Sequence, residues 1–373
     1  MIKKLNSLTI FFIITVVMVL LMLITIQRPN DSNDDEGLLF PELFGQLSDV
    51  DTIKVKSSQD EFSLYRQGED WFVKEHWDFP ADFNLVKRAL IDIAEAKIIE
   101  RKTDKIEQYV LLGLEGAEDG GESIQITMLQ GEKSVAGLLL GMERELGQTG
   151  GARQLYVRRI DEERSWLAEG YLNINPLMLN WIQTEVINIA RERIAQVDII
   201  QPNGETATII SLGKKDKFGT PEALSKTIFK YEQLGYDIAG SLFQLKMEDV
   251  MPKSDFSRGE AEVVTAQFLT FDGLKVITET SFNIDDGFYY SILRAEHSVA
   301  GDAPEDIQQM DVIKTAEQVE EEIKALNKKF ESWVYRFSGF VGTNLMRAEA
   351  DMITKSDKVI PMPLDEMSLG SKE

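Results

Sequence analysis

Residues 50–68 read VDTIKVKSSQDEFSLYRQG, two runs of alternating apolar and polar side chains separated by a polar turn. A period of two puts Ile53 and Val55 on one face of the first run, and Phe62 and Leu64 on one face of the second. This is the pattern of a half-buried antiparallel hairpin. A third run, DWFVKE at 70–75, follows the turn residue Gly68. Laid on itself with an offset of 147 residues, the chain repeats the start of the motif: Val50, Asp51, Thr52 and Ile53 match Val197, Asp198, Ile199 and Ile200. Downstream, FSLYRQG at 62–68 faces TIISLGK at 208–214. The expected fold is therefore α+β, with two similar units of antiparallel sheet under helical cover rather than a doubly wound parallel sheet.

Working outward, PADFNLVKRALIDIAEAK changes period, with Phe83, Val86, Leu90, Ile93 and Ala94 on one helical face after Pro80 and a capping Asp82. Strands are predicted to return at 123–130, 135–140, 154–159 and 165–168. The matching helix of the second unit is predicted at 236–246, with Ile238, Leu242 and Leu245 along one stripe, followed by a meander through 261–294. An amphipathic helix is expected at 176–190 between the units. After GDAPED come a long helix at 315–330 striped by Val319, Ile323, Leu326 and Phe330, a strand WVYRF at 333–337, and a last helix at 341–353. The expected domains are a cytoplasmic tip with an anchor at 1–27, a polar linker at 28–37, a first unit at 38–190 and a second at 191–300. A C-terminal helix-strand-helix segment at 301–353 and a tail at 354–373 complete the chain.

The anchor rests on LTIFFIITVVMVLLMLITI at 8–26, nineteen residues without a charge, amide or proline. A hydrocarbon core about 30 Å thick needs roughly 20 such residues. A secretory leader has a shorter apolar core followed by small residues at a cleavage site. Here Gln27, Arg28 and Pro29 follow, so a retained span is expected, its lipid-facing residues including Leu8, Phe11, Phe12, Val16, Val19, Leu20, Leu23 and Ile26. Lys3 and Lys4 precede the span and Asp31, Asp34, Asp35 and Glu36 follow it, which orients the N-terminus to the cytoplasm and the bulk to the periplasm.

The chain carries 40 Lys and Arg against 63 Asp and Glu, a net charge of -23. Such a surface repels polynucleotide phosphates, so no nucleic-acid partner is expected. With no cysteine, thiolate metal sites, disulfides and a Cys nucleophile are excluded. The two histidines, His76 and His297, are not accompanied by a G-x-S-x-G elbow, and no H-E-x-x-H spacing occurs. The glycine-rich stretch at 141–153 lacks the strand-to-helix setting of a phosphate loop, that at 212–219 lacks the first Gly and the Ser or Thr of a P-loop, and the acidic run at 31–42 has Glu36 where a calcium loop turns on Gly. No catalytic, cofactor-binding or metal-binding residue is assigned. Aromatics in the hairpins, Trp71, Trp77, Trp333 and Tyr335, are the candidate partner surface, weighed against a plain core role.

The order of the anchor, DWFVKE at 70–75, PAD at 80–82, LLGLE at 111–115, LLLG at 138–141 with QLYVRR at 154–159, YDIAGSLFQLKMEDV at 236–250 and WVYRF at 333–337 resembles a bacterial family, the domain of unknown function numbered four-three-four-zero. The loops at 116–122 and 213–226 look divergent from it. The resemblance implies one membrane span, an outward domain, and genes beside components of ABC-type transporters related to those of gliding motility. It offers no catalytic residues. The function expected is that of a noncatalytic periplasmic module at the bacterial inner membrane, an accessory of an ABC-type transport or envelope complex. The alternatives are a binding module for envelope polysaccharide or peptide, and an envelope hydrolase.

Overall fold

The computed structural model describes residues 37–144, 153–214, 217–221 and 228–354. The anchor stretch at 8–26, most of the linker and nearly all of the tail lie outside these residues. The chain divides into two units, Met1–Ile182 and Gln183–Glu373.

In the first unit the alternating runs become strands: β1 (Gly37–Leu38), β2 (Thr52–Lys56), β3 (Glu61–Gln67), β4 (Asp70–Val73) and β5 (Phe79–Pro80). Helix α1 (Phe83–Glu95) follows, then β6 (Lys97–Arg101), β7 (Ile124–Gln130), β8 (Lys133–Glu143), β9 (Arg153–Arg159) and β10 (Ser165–Gly170). They form one antiparallel sheet in the order β1-β6-β10-β9-β8-β7-β2-β3-β4-β5. Register aligns Ile53 with Leu64 and Met128, Leu64 with Val73, and Ile126 with Val55 and Leu138. All of these are buried, which is what a period of two dictates when one face is covered.

Helix α1 buries Val86, Ala89, Leu90, Ile93 and Ala94 and lies against β4, β10 and the turn Leu43–Asp49. Burying each large side chain stabilises by roughly 1.5–3 kcal/mol. The Asp82 carboxylate accepts from the Asn84 and Leu85 amides at 2.9 and 3.3 Å and so caps the helix. Asp82→Ala is expected to cost about 1 kcal/mol, read by thermal denaturation.

The opposite face of the sheet is covered at β8 and β9 by the LLGLE segment. Tyr109 and Leu114 pack on Leu139, with Leu112 and Tyr156 around them, and the Tyr109 hydroxyl donates to the Glu163 carbonyl. Two glycines allow this approach. Gly113 has φ 64°, and a Cβ on Gly141 would lie 2.3 Å from the Leu112 carbonyl oxygen. The motif residues therefore serve packing.

The second unit holds β11 (Glu185–Ile187), β12 (Ile194–Ile200), β13 (Thr206–Ser211), β14 (Phe218–Gly219), β15 (Ile228–Phe229), α2 (Leu234–Ala239), β16 (Leu245–Lys246) and β17 (Asp249–Pro252). It continues with β18 (Val263–Thr270), β19 (Leu274–Phe282), β20 (Tyr289–His297), α3 (Glu305–Gln308), α4 (Ala316–Phe330) and β21 (Trp333–Phe337). It closes with α5 (Gly339–Met346), α6 (Glu349–Met352) and β22 (Ile353–Thr354). Its main sheet runs β14-β13-β12-β18-β19-β20-β21-β17.

Strand for strand this repeats β4-β3-β2-β7-β8-β9-β10-β6 of the first unit, so the sequence repeat is a shared topology. In both units a strand following the helix, β6 in the first and β17 in the second, crosses to pair with the last strand of the meander. The second unit differs by inserting α3 and α4 between β20 and β21, where β9 and β10 are joined by a short turn. Arg193, with its side chain 3% exposed, ties this insertion to the sheet: it donates to Asp272 at 2.6 Å and to both Glu322 oxygens at 3.0 and 2.6 Å.

Several expectations are corrected. Residues 176–190 are not a helix but the short turn Met178–Asn180 followed by β11, because the Asn175 side chain accepts from Leu177 and the Trp181 indole donates to the Asn175 carbonyl, folding the chain back on itself. The helix expected at 236–246 ends early: Gln244 turns to φ 47° and Leu245 enters β16. The last helix is split into α5 and α6, because Arg347 and Ala348 are extended. The two compact units meet after Ile182, and β21, within 301–353, is a strand of the second unit's sheet.

Candidate functional site

Of the four aromatics expected at a partner surface, two are core. Trp71 is 4% exposed and Tyr335 1%. On β4 the alternation turns Trp71 and Val73 inward and Phe72 outward, and on β21 it buries Val334 from one face and Tyr335 and Phe337 from the other. The Tyr335 hydroxyl donates to the Lys329 carbonyl at 3.0 Å, and burial pushes its phenol up. Trp333 is half-buried. Trp77, 46% exposed, is the member of the set that reaches the surface. It sits with Asp78 in a turn where both have φ 54°, a conformation that costs energy for side chains of this kind. Trp71 and Trp77 belong to the first unit, and Trp333 and Tyr335 to the second.

A different arrangement, in the first unit, is concave and polar. On α1 the residues Leu85, Arg88, Ala89 and Asp92 recur at helical spacing and so share a side. They face Arg153, the first residue of β9, and the chain leaving β10 through Tyr171, Asn173, Asn175, Asn180 and Trp181. The cavity between them has a volume of about 600 Å³. A second, of about 460 Å³, shares Asp92 and Tyr171 and runs on past Phe44, Glu95, Lys97 and Glu169. Together they form a groove along α1.

Its walls are fixed. The Asn175 side-chain oxygen accepts from the Leu177 amide at 2.9 Å and from Asn180 Nδ2 at 3.0 Å, and the Trp181 indole donates to the Asn175 carbonyl at 2.9 Å. The Asp82 amide donates to the Trp181 carbonyl at 2.7 Å, and Ala81 bridges to Ile182, which binds the wall to the start of α1. Burial raises the Asp92 carboxyl above its usual range, opposed by the Arg88 charge and reinforced by Glu95. Arg88 and Arg153 are exposed, and Arg153 lies 3.7 Å from Glu143. The larger cavity thus offers two guanidinium groups, three carboxamides, a phenol and the Asp92 carboxyl. Among the described residues no cluster of three or more His, Asp or Glu side chains could hold a metal, and no helix is long and apolar enough to cross a membrane.

The register of the two sheets makes Arg153 and Tyr289 equivalent strand positions. Arg153 pairs with Gly170 at the end of β10, and Tyr289 pairs with Phe337 at the end of β21. After Phe337 the chain forms α5, which lies on β18, β19 and β20. A Cβ on Gly342 would fall 1.9 Å from the Tyr289 ring, and the Tyr289 hydroxyl is 3.2 Å from Thr343 Oγ1. In the second unit α5 follows the last strand of the meander; in the first, the chain leaving β10 buries Leu172, Ile174 and Trp181 instead.

Sequence reasoning missed the groove, because its residues come from three separated segments. The available signals were Arg88, off the apolar stripe of α1, and the N-x-N repeat at Asn173 and Asn175.

Fold and site together define a two-unit antiparallel α+β protein with a concave groove in its first unit. The chain belongs to the family Domain of unknown function (DUF4340), whose model matches residues 71–262, from β4 to the threshold of β18. No curated protein and no solved structure matches it.

Proposed function

We propose that the protein is a noncatalytic interaction module held at the bacterial inner membrane by residues 8–26, with its bulk in the periplasm, acting as an accessory of an ABC-type transport or envelope complex. The observation that supports this reading is the preformed concave groove along α1, with exposed Arg88, Arg153 and Tyr171 on its walls. The apolar stretch at 8–26 and the charge asymmetry around it support the membrane placement.

The test is mild crosslinking in intact cells, detergent extraction and mass spectrometry of what stays with the tagged full-length protein. Co-recovery of ABC permease subunits is the expected result. Recovery of the protein alone from the membrane fraction would contradict a stable complex.

A further inference from the structure

We infer that the apolar outer side of the short 3-10 helix Ile106–Leu112 seats in the lipid headgroup layer, so that the first unit is held by surface contact as well as by the span. This rests on the reading of residues 8–26 as a membrane anchor. Exposure, chain path and local charge lead to it.

Within this helix Tyr109 turns inward and packs with Leu114 on Leu139. The same turn leaves Ile106 72% exposed, Val110 52% and Leu111 71%, and Met142, 49% exposed, borders Gly113 at the end of the helix. Four large apolar side chains around one loop form a patch rather than scattered singles. The backbone beneath them is tied down. The Lys105 amide donates to Thr103 Oγ1 at 3.1 Å, Ser165 donates to the Thr103 carbonyl at 2.7 Å, and the Tyr109 hydroxyl donates to the Glu163 carbonyl.

The path of the chain says what covers the patch. Strand β1 is antiparallel to β6, with Gly37 opposite Ile98 and Leu38 opposite Lys97. The chain therefore enters β1 from the side toward which β6 continues to Arg101, and from Arg101 it passes through 102–105 into the helix. Ile106 follows Ile98 by eight residues, so the two are separated by roughly 28 Å at most. Ten residues, 27–36, separate the apolar stretch from Gly37 and span at most about 35 Å. The span thus leads to the end of the sheet at which Ile106, Val110 and Leu111 are exposed, and keeps the bilayer within reach of them.

Charge permits the contact. The chain has a net charge of -23, yet along 97–112 Lys97, Arg101, Lys102 and Lys105 outnumber Glu100, Asp104 and Glu107. Glu100 is paired with Lys102 at 2.8 Å, and Asp104 with Arg164. This near balance selects no anion, but it spares the patch the repulsion that the rest of the chain meets at a phosphate layer, and Lys and Arg stems lie along lipid with their heads in water. So short a helix seats at the interface and does not enter the hydrocarbon core.

The chain has no cysteine, so single labels mark chosen positions. The full-length protein is reconstituted in phosphatidylcholine vesicles with a nitrobenzoxadiazole label at Ile106→Cys, Leu111→Cys, Lys87→Cys on the exposed side of α1, or Val19→Cys within 8–26. Quenching is measured with doxyl groups placed near the headgroup or deep in the acyl chain. Thermal unfolding of each labelled variant is matched to the parent beforehand. The expected result is blue-shifted emission at Ile106 and Leu111 with quenching by the shallow doxyl group, neither at Lys87, and quenching of Val19 by the deep one. Adding Ile106→Asp and Val110→Asp to the Leu111 label should abolish its blue shift and its quenching.

Labels at Ile106 and Leu111 that stay as unquenched as that at Lys87, with Val19 quenched, would overturn the lipid contact and leave the anchor standing. An unquenched Val19 would overturn the anchor and the contact with it. Blue-shifted emission at Leu111 that no doxyl lipid quenches would mean that protein, a second copy or a partner, covers the helix, and would overturn lipid as the occupant. Equal quenching at Lys87 and Leu111 would overturn the assignment to this face.

Discussion

Arg193→Leu is expected to destabilise the second unit by about 3–5 kcal/mol, because it leaves the buried Asp272 carboxylate without its counter-charge and removes one of the two cations beside Glu322. The Asp272 side chain is 1% exposed and the Glu322 side chain 15%, and Arg193 bonds to both. Asp272 also accepts from Thr270 and from the Lys314 amide, and Lys314 Nζ lies 2.8 Å from Glu322. One guanidinium thus joins the entry to β12, the turn before β19 and the middle of α4.

Burial by itself pushes both carboxyls up. The hydrogen bonds and charge of Arg193, with Thr270 and the Lys314 amide on Asp272 and the Lys314 side chain on Glu322, outweigh it, so both lie below their ordinary values of 3.8 and 4.5. Groups lowered in this way contribute stability that is present above those ordinary values and is lost as pH falls through the lowered ones. Without Arg193 the desolvation of Asp272 is opposed by neutral donors alone, and protonation relieves it. The difference in Tm between parent and variant is therefore widest near neutrality and narrows as pH drops below about 4. A difference that does not change with pH would mean that Arg193 acts through packing of its stem rather than through charge.

Gly141→Ala is the second large effect, expected at about 2–3 kcal/mol. The new Cβ would meet the Leu112 carbonyl oxygen at 2.3 Å and the Gly113 carbonyl oxygen at 3.0 Å. Backbone atoms cannot rotate away, so the LLGLE segment must lift from the sheet and uncover Tyr109, Leu114 and Leu139. Gly137→Ala, on the same strand, is the control. Its Cβ would meet the Ile160 side chain, at 2.8 Å from Cδ1, and a side chain at the rim can give, so its cost should be about 1 kcal/mol or less. Urea denaturation of the two variants measures the contrast. Equal costs would show that the LLGLE segment is not held against β8.

The parts of the fold that were legible are those in which one local period matches one covered face. The strands β2, β3 and β4 alternate cleanly, and α1 combines a 3.6-residue stripe with the Asp82 cap. The long helix α4 was legible for the same reason, with Thr315 and Gln318 completing a capping box. Residues 176–190 misled because Leu179, Ile182, Val186 and Ile189 recur at helical spacing, whereas hydrogen bonds from Asn175 and Trp181 and the pairing of β11 with β16 decide the backbone. Strand β6 was not foreseen. Its burial pattern leaves Ile99 exposed, and it becomes a strand by reaching across the sheet to β10, a contact no local window contains.

The groove was illegible for a related reason. Arg88, Arg153 and Tyr171 are unremarkable in their own segments, and strand order brings them together. The aromatic residues invited the opposite error. Trp71 and Tyr335 look like binding residues by type, yet a period of two assigns them to the interior.

The most direct measurement is photo-crosslinking in intact cells from a benzoylphenylalanine placed at Asn173, in the wall of the groove, with the same probe at Lys133 at the opposite end of β8 as reference. A specific adduct with a permease subunit from Asn173 and none from Lys133 is the predicted result. Adducts of equal yield from both positions, or none from Asn173 while the protein still co-purifies with its complex, would contradict the groove as the place of contact.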